Sequence, residues 1–190
     1  VTTRKASDQS LVDYEAQPLT VSTGTSQAPS SVTLDMAASL GELTRAAGNL
    51  TVDAFGFFQV SGALSLEKST GSVKLGDVAS TVNVNESITP VVVEQLLLGG
   101  SGLSGFAGIK GGSADATGLT LSGVNVALAL LTEKTPAQGQ VAREWSALKA
   151  SASGASFSGV EGLTVGASAV SVVTTRKASD QSLVDYEAQP

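Results

Sequence analysis

Apolar and polar residues alternate with a period of two along most of this chain, and that alternation predicts strands rather than helices. The clearest run is NLTVDAFGFFQVSGALSLEK, residues 49–68. Leu50, Val52 and Ala54 alternate, and after a phase change around Phe55–Phe58 the residues Phe58, Val60, Gly62, Leu64 and Leu66 share one face. Such a slip reads as a bulge or a corner, and Gly56 is placed to allow it. Leu119 to Leu130 alternates too, through Leu119 and Leu121 and then Val124, Val126, Leu128 and Leu130. Shorter strand patterns occur at Leu11 to Val21, interrupted by Pro18 at an edge or corner, at Val32, Leu34 and Met36, in SVKLGD and ASTVNVNE, and from Phe157 to Val173. Residues 22–31 form a polar loop, and the Gly-rich residues 99–118 suit tight corners between short strands.

Three stretches depart from this rule. In residues 39–48, Ser39 and Glu42 have capping-box spacing and Gly48 stands where a helix would end, so one or two helical turns are expected. Thr89-Pro90 before VVVEQLLLGG is good helix punctuation and predicts a short buried helix, although Val91–Val93 pull toward strand. Residues 141–149, VAREWSALK, fit either state.

A longer regularity overrides these details. Residues 1–18 read VTTRKASDQSLVDYEAQP, and residues 173–190 repeat them without a substitution. The text therefore restarts after 172 residues. Residues 1–172 are expected to be one full period, and residues 173–190 the start of the next identical one. Neither copy opens with Met, so the chain reads as a window on a longer tandem array; the alternative is an artificial duplication of one end. A weaker echo lies inside the period. Leu-Thr-(Val/Leu) occurs at residues 19–21, 50–52, 119–121 and 163–165. Three of these lead through a strand toward a polar turn carrying Lys68, Lys134 or Lys177, as nested subrepeats of a quasi-one-dimensional architecture would.

Composition narrows the reading. The hydrophobic fraction is 42% but the aromatic fraction only 4%, so the core must be Val, Leu and Ala in thin layers. With 15% charged residues and a net charge of −6, no basic patch exceeds the pairs Arg4–Lys5 and Arg176–Lys177, which argues against nucleic acid and anionic lipid as partners. No run of eighteen apolar residues marks a membrane span. Histidine and cysteine are both absent, which removes the commonest general base, nucleophiles and transition-metal ligands.

The phrases GLTLSGVNVALALL, DAFGFFQVSGALSLEK and EGLTVGASAVSVV resemble the repeat regions of very large bacterial surface or secreted proteins, the giant LEPR-XLL-type and related adhesin-like chains. The likeness covers most of the period and rests on short phrases. It implies an extracellular or cell-surface, β-rich, structural or adhesive role, and it carries over no functional residue.

Residue constellations add little chemistry. GGSAD, residues 111–115, is an imperfect version of a calcium-binding β-roll turn, with Ala114 in place of a glycine and no iteration; a plain Gly-rich turn is the simpler reading. Asp13 with Glu15, or Asp8 with Asp13, could supply paired carboxylates, but strand neighbours are more simply a solvated face. The turn lysines and arginines read as charged gatekeepers at sheet edges. Asn49 and Asn85 head glycosylation-type triplets, a pattern common by chance. Trp145, Tyr14, Tyr186, Phe55, Phe57 and Phe58 are either a carbohydrate-stacking platform or large core residues, and the core is preferred. No catalytic, cofactor-binding or metal site and no cofactor is expected.

The expected fold is mainly β: an elongated solenoid-like or stacked-sheet repeat, or else a tandem β-sandwich domain, with at most one or two short helices. The expected role is that of a structural repeat in a long extracellular filament, its partners being identical neighbouring repeats. A spacer repeat of a giant adhesin, with its binding tip elsewhere, is the second reading. A β-helix polysaccharide-active enzyme is the remote third, and it requires a concave charged cleft.

Overall fold

In this computed structural model the described residues are 3, 5–76 and 90–187. They form strands, joined by turns and one 3-10 turn at Ala38–Leu40; no α-helix occurs among them. The chain divides into two compact units, Val1–Thr44 and Arg45–Pro190.

In the first unit, β1 (Leu19–Ser22) and β2 (Ser31–Leu34) pair antiparallel around the expected polar loop. The residues before them are not the strand that alternation suggested. The Gln17 amide bonds to the Asp13 carbonyl at 3.1 Å and the Ala16 amide to the Asp13 carboxylate at 3.3 Å, so residues 13–17 turn. Asp13 competes for the backbone more effectively than a ladder partner does.

The second unit is dominated by a six-stranded antiparallel sheet in the order β3 (Leu43–Ala54), β4 (Phe58–Val73), β6 (Val91–Ile109), β7 (Thr117–Glu133), β8 (Glu144–Ser158) and β9 (Val165–Arg176). Two short strands, β5 (Leu75–Gly76) and β10 (Leu183–Val184), pair separately. The main sheet is an open meander, each strand pairing with the next.

Several sequence expectations are corrected here. VVVEQLLLGG is strand, not helix: Val91–Val93 pair with Gly71–Val73, and Leu96–Leu98 pair on both sides. Side-chain packing between two neighbours outweighs the helix punctuation. Gly48 lies inside β3, and residues 144–149 are strand. Residues 99–109 do not form corners but continue β6, with the turn following at 110–116. The phase change at Phe55–Phe58 is neither a bulge nor a corner but the hairpin turn between β3 and β4. Lys68 sits in mid-strand, not in a turn, and its ammonium pairs with Glu94 on β6. The ASTVNVNE strand lies at residues 79–86, outside the described residues.

The register sorts the sheet into two unlike faces. One carries the row Leu66–Leu98–Leu128–Leu148 on four successive strands, and another row Phe58–Ala107–Leu119–Phe157–Val165. The opposite face carries rows such as Gln59–Phe106–Thr120–Ser156. One extra residue each at Gly102, Gly123, Ser153 and Ala169 keeps the apolar side chains on one face across β6 to β9. These bulges are tied together: the Gly102 amide donates to Asn125 Oδ1 at 3.2 Å, and Ser153 Oγ donates to the Ser122 carbonyl at 2.9 Å. Beside the row Leu103 is buried, lying over Gly62 and Gly100, where a Cβ would come within 2.7 and 2.8 Å of its methyl carbons. Those two glycines are spaces for a leucine.

At the β3–β4 turn Phe55 and Gly56 have φ of 56° and 71°, and the Phe57 amide donates to the Ala54 carbonyl at 3.0 Å. Two positive φ values in a two-residue loop define a type I′ hairpin, which favours Asn-Gly. Phe55 is 96% exposed, so no burial offsets its left-handed backbone. Phe55→Asn should therefore raise stability by about 1 kcal/mol in urea unfolding; an unchanged or lower midpoint would contradict this account of the turn.

Candidate interaction site at the end of the sheet

Most buried apolar residues gather at one place. Val73, Leu75, Val93, Leu131, Trp145, Ala178 and Val184 form one cluster, flanked by Val91 and Ala129. Val73, Val93, Leu131 and Trp145 come from the polar face of the sheet, at the end where β4, β6, β7 and β8 run side by side. Leu75 follows on β5. Ala178 and Val184 come from the second copy of the repeated text, which leaves β9, turns back and lies over this end.

The turn is shaped by its own residues. Gln181 takes φ 71°, its amide donates to the Ala178 carbonyl at 3.0 Å, and the Ala178 amide donates to the Ser182 carbonyl at 3.0 Å. Asp180 Oδ1 accepts from the Ser182 amide at 3.0 Å and from the Ser182 hydroxyl at 2.6 Å. With the Asp180 carboxylate holding the turn, Ala178 and Val184 are carried to the same side.

Polar groups in the cluster are paired. Trp145 Nε1 donates to both the carbonyl and the hydroxyl oxygen of Ser182, each at 3.2 Å. Arg143 lies 5.3 Å from the Trp145 ring centre, in cation–π range. Its guanidinium grips Glu133 in a bidentate pair, Nε to Oε2 and Nη2 to Oε1, both at 2.9 Å, and Nη1 reaches Asp180 Oδ2 at 3.2 Å. An ion pair holds the β7–β8 turn, and its third member is on the repeated segment. The Arg143 hydrogen bond keeps Glu133 below its ordinary value. Burial pushes Asp180 up, but the Ser182 hydroxyl and amide, together with Arg143, outweigh it and hold the carboxyl below its ordinary value.

The first copy forms the same turn: Gln9 has φ 68°, Ala6 and Gln9 amides donate to Ser10 and Ala6 carbonyls at 2.9 Å, and Asp8 Oδ1 accepts from the Ser10 amide at 3.0 Å and hydroxyl at 2.6 Å. Their surroundings differ. Ala178, Ser182 and Val184 are 4, 2 and 7% exposed; Ala6 and Ser10 are exposed, and Val12 is 60% exposed.

Other residues singled out from the sequence are scattered. Asp13 Oδ1 accepts backbone amides of Ala16 and Ala38, each at 3.3 Å, while Glu15 is exposed. GGSAD is the turn between β6 and β7, and among the described residues no group of three or more acidic side chains is placed to hold a metal. Lys134 and Lys177 do follow strands, and Lys134 Nζ donates to Thr70 Oγ1 at 2.8 Å. Asn49 is in β3, and Asn85 lies outside the described residues. Trp145 is a core residue, as preferred; Phe55, Phe57 and Phe58 are exposed instead, at the tip of the β3–β4 hairpin. The Arg143–Glu133–Asp180 trio was missed, because its members are ten and 37 residues apart. The repetition of Asp8–Ser10 as Asp180–Ser182 was the available signal. No family model matches the chain, and neither curated proteins nor solved structures yield a match.

Both carboxylates are depressed in the folded state, so their contribution is fully present above the ordinary values of 4.5 for Glu133 and 3.8 for Asp180 and is lost as pH falls through the lowered ones. Trp145, the sole tryptophan, reports it. Arg143→Met should cost on the order of 3 kcal/mol at neutral pH, and the variant and parent stabilities should converge below pH 4.5. A constant gap down to strong acid would count against the ion pair.

Proposed function

We propose that the 172-residue period is a structural repeat of a long extracellular filament or surface fibre, stacking its sheets on identical neighbours. The observation that carries this reading is the apolar face of the six-stranded sheet. Leu66, Leu96, Leu119 and Leu130 on that face are 37–44% exposed, and Phe58, Val165 and Val172 reach 50%. Isolated exposed leucines are ordinary, but rows of them across five strands mark a surface that associates.

The edge strand supports the same conclusion. Every residue of β9 is exposed, and its apolar side chains include Val170, Val172 and Val173. Charge enters only at the last position, Arg176. Proteins that stay apart protect such an edge with charge, proline or a covering element; a repeat that joins its neighbours has no such need. Identical text at both ends supplies the neighbour, since a heterologous contact between identical units propagates without closing. Sheet-on-sheet packing fits better than coils of a solenoid, because the strands pair as antiparallel hairpins.

Negative-stain microscopy of the native material, with its mass on a denaturing gel, tests the proposal. Uniform rods are expected; compact single particles would overturn it. At the level of one residue, Leu128→Glu in the middle of the leucine row should abolish rods while leaving the β-sheet circular dichroism intact. Thr120→Glu, on the opposite face, should leave rods unchanged. Equal effects of the two would mean that the apolar face is not the contact.

A further inference from the structure

We infer that residues 5–12 are a docking element, and that they seat in the Trp145 cluster of a preceding copy of this chain. The inference rests on the repeat-unit reading, and it names the joint. Its basis is that the same turn is present twice, at residues 6–10 and 178–182, once open and once covered.

The seated copy shows what the contact consists of. Val184 pairs with Leu75 in the β5–β10 ladder, Ala178 fills the cluster, and Ser182 supplies both acceptors for Trp145 Nε1. Asp180 completes the Arg143–Glu133 pair. The counterparts of these four residues in the first copy are Val12, Ala6, Ser10 and Asp8. They carry the same groups on the same turn, with Ala6, Ser10 and Val12 exposed. Since the turn is already closed by Asp8 and by Gln9 at positive φ, docking does not have to order it, and the entropic cost of binding is correspondingly low.

Strand pairing agrees. Thr175 pairs with Ala147 of β8, whereas its counterpart Thr3 donates its amide to the carbonyl of Leu43, the first residue of β3, at 2.7 Å. A strand has two edges. In a joined array one strand can take β8 of the earlier period on one side and β3 of the later period on the other, which makes the sheet continuous across the joint.

The chain has no cysteine, so introduced pairs are unambiguous. The Asp185 amide donates to the Lys74 carbonyl at 3.0 Å, which makes Leu75 and Val184 a non-hydrogen-bonded cross-strand pair, close enough for a disulfide. Leu75→Cys with Val184→Cys in the full chain should close within one molecule under oxidation. Leu75→Cys with Val12→Cys, with Val184→Asp added to vacate the seat, should instead give a ladder of covalent multimers on a non-reducing gel, collapsed by reductant. Monomers alone in the second variant, or an internal loop running ahead of the monomer, would overturn the joint. Failure of the first variant to close would do the same. Should Val184→Asp unfold the sheet, the Leu75→Cys, Val12→Cys chain with Val184 intact, refolded at high concentration, must still give the ladder as a minor share, because the two copies compete for one seat; its absence would sink the proposal equally. Fibres in the native material without a ladder would leave the repeat-unit reading standing and remove this joint. A ladder without native fibres would keep the joint and remove the fibre.

Discussion

A buried indole N–H must find an acceptor, and in this sheet the acceptor for Trp145 comes from outside the sheet. Ser182 provides it twice, from its carbonyl and its hydroxyl. Without the segment that carries Ser182, the residues Val73, Val93 and Leu131 would form an exposed apolar patch, and the indole N–H would lose its bonds. Burial of the donor, removal of the valines and leucine from water, and closure of the Arg143–Glu133–Asp180 group occur in one step, because one turn brings all three partners. The end of the sheet is therefore completed by the text that begins the sequence over again.

That dependence explains which parts of the molecule were legible from the chain and which were not. Strands were legible wherever side chains alternate between two unlike faces, as in Leu119 to Leu130, and the slip from Leu121 to Val124 marks a real bulge at Gly123. Where local signals compete with pairing, they mislead in both directions. Thr89-Pro90 offered a helix start, but β-branched Val91–Val93 between two strands gain more from cross-strand contact. Leu11 to Ala16 alternates, yet Asp13 turns the chain there. The Gly-rich run after Leu98 looked like corners; Gly100 lies in β6, leaving space for Leu103 above the neighbouring strand.

The site was less legible than the fold, for a geometric reason. Glu133 and Arg143 meet across a turn, and Asp180 arrives from a strand further on, so no short motif contains them. Only the long repeat pointed there, by stating the Asp-x-Ser turn twice. The turn forms in both copies, so its shape is a property of the local sequence and its burial a property of context. Local structure and packing are separable here.

A two-faced sheet of this composition is under opposing constraints. Its charge is sparse, and its more polar face is rich in Ser, Thr and Gln, which solvate a surface without forming strong contacts of their own. Its other face carries the rows of leucine, valine and phenylalanine, with charge toward one end at Lys68 and Glu94, and its edge strand β9 is valine-rich and nearly uncharged. A sheet whose apolar face stays exposed gains little from hydrophobic burial on folding, and such sheets gain stability by acquiring a second layer. On the reading proposed here, covering the apolar face fixes lateral packing and docking of residues 5–12 fixes axial register. Those two contacts use different surfaces and different chemistry. The apolar face is tolerant of sliding, since rows of leucines offer similar packing at several offsets, whereas the Trp145 seat accepts one turn in one orientation. Specificity along the axis then resides in a handful of hydrogen bonds at one end, and the larger apolar area supplies cohesion without having to supply register.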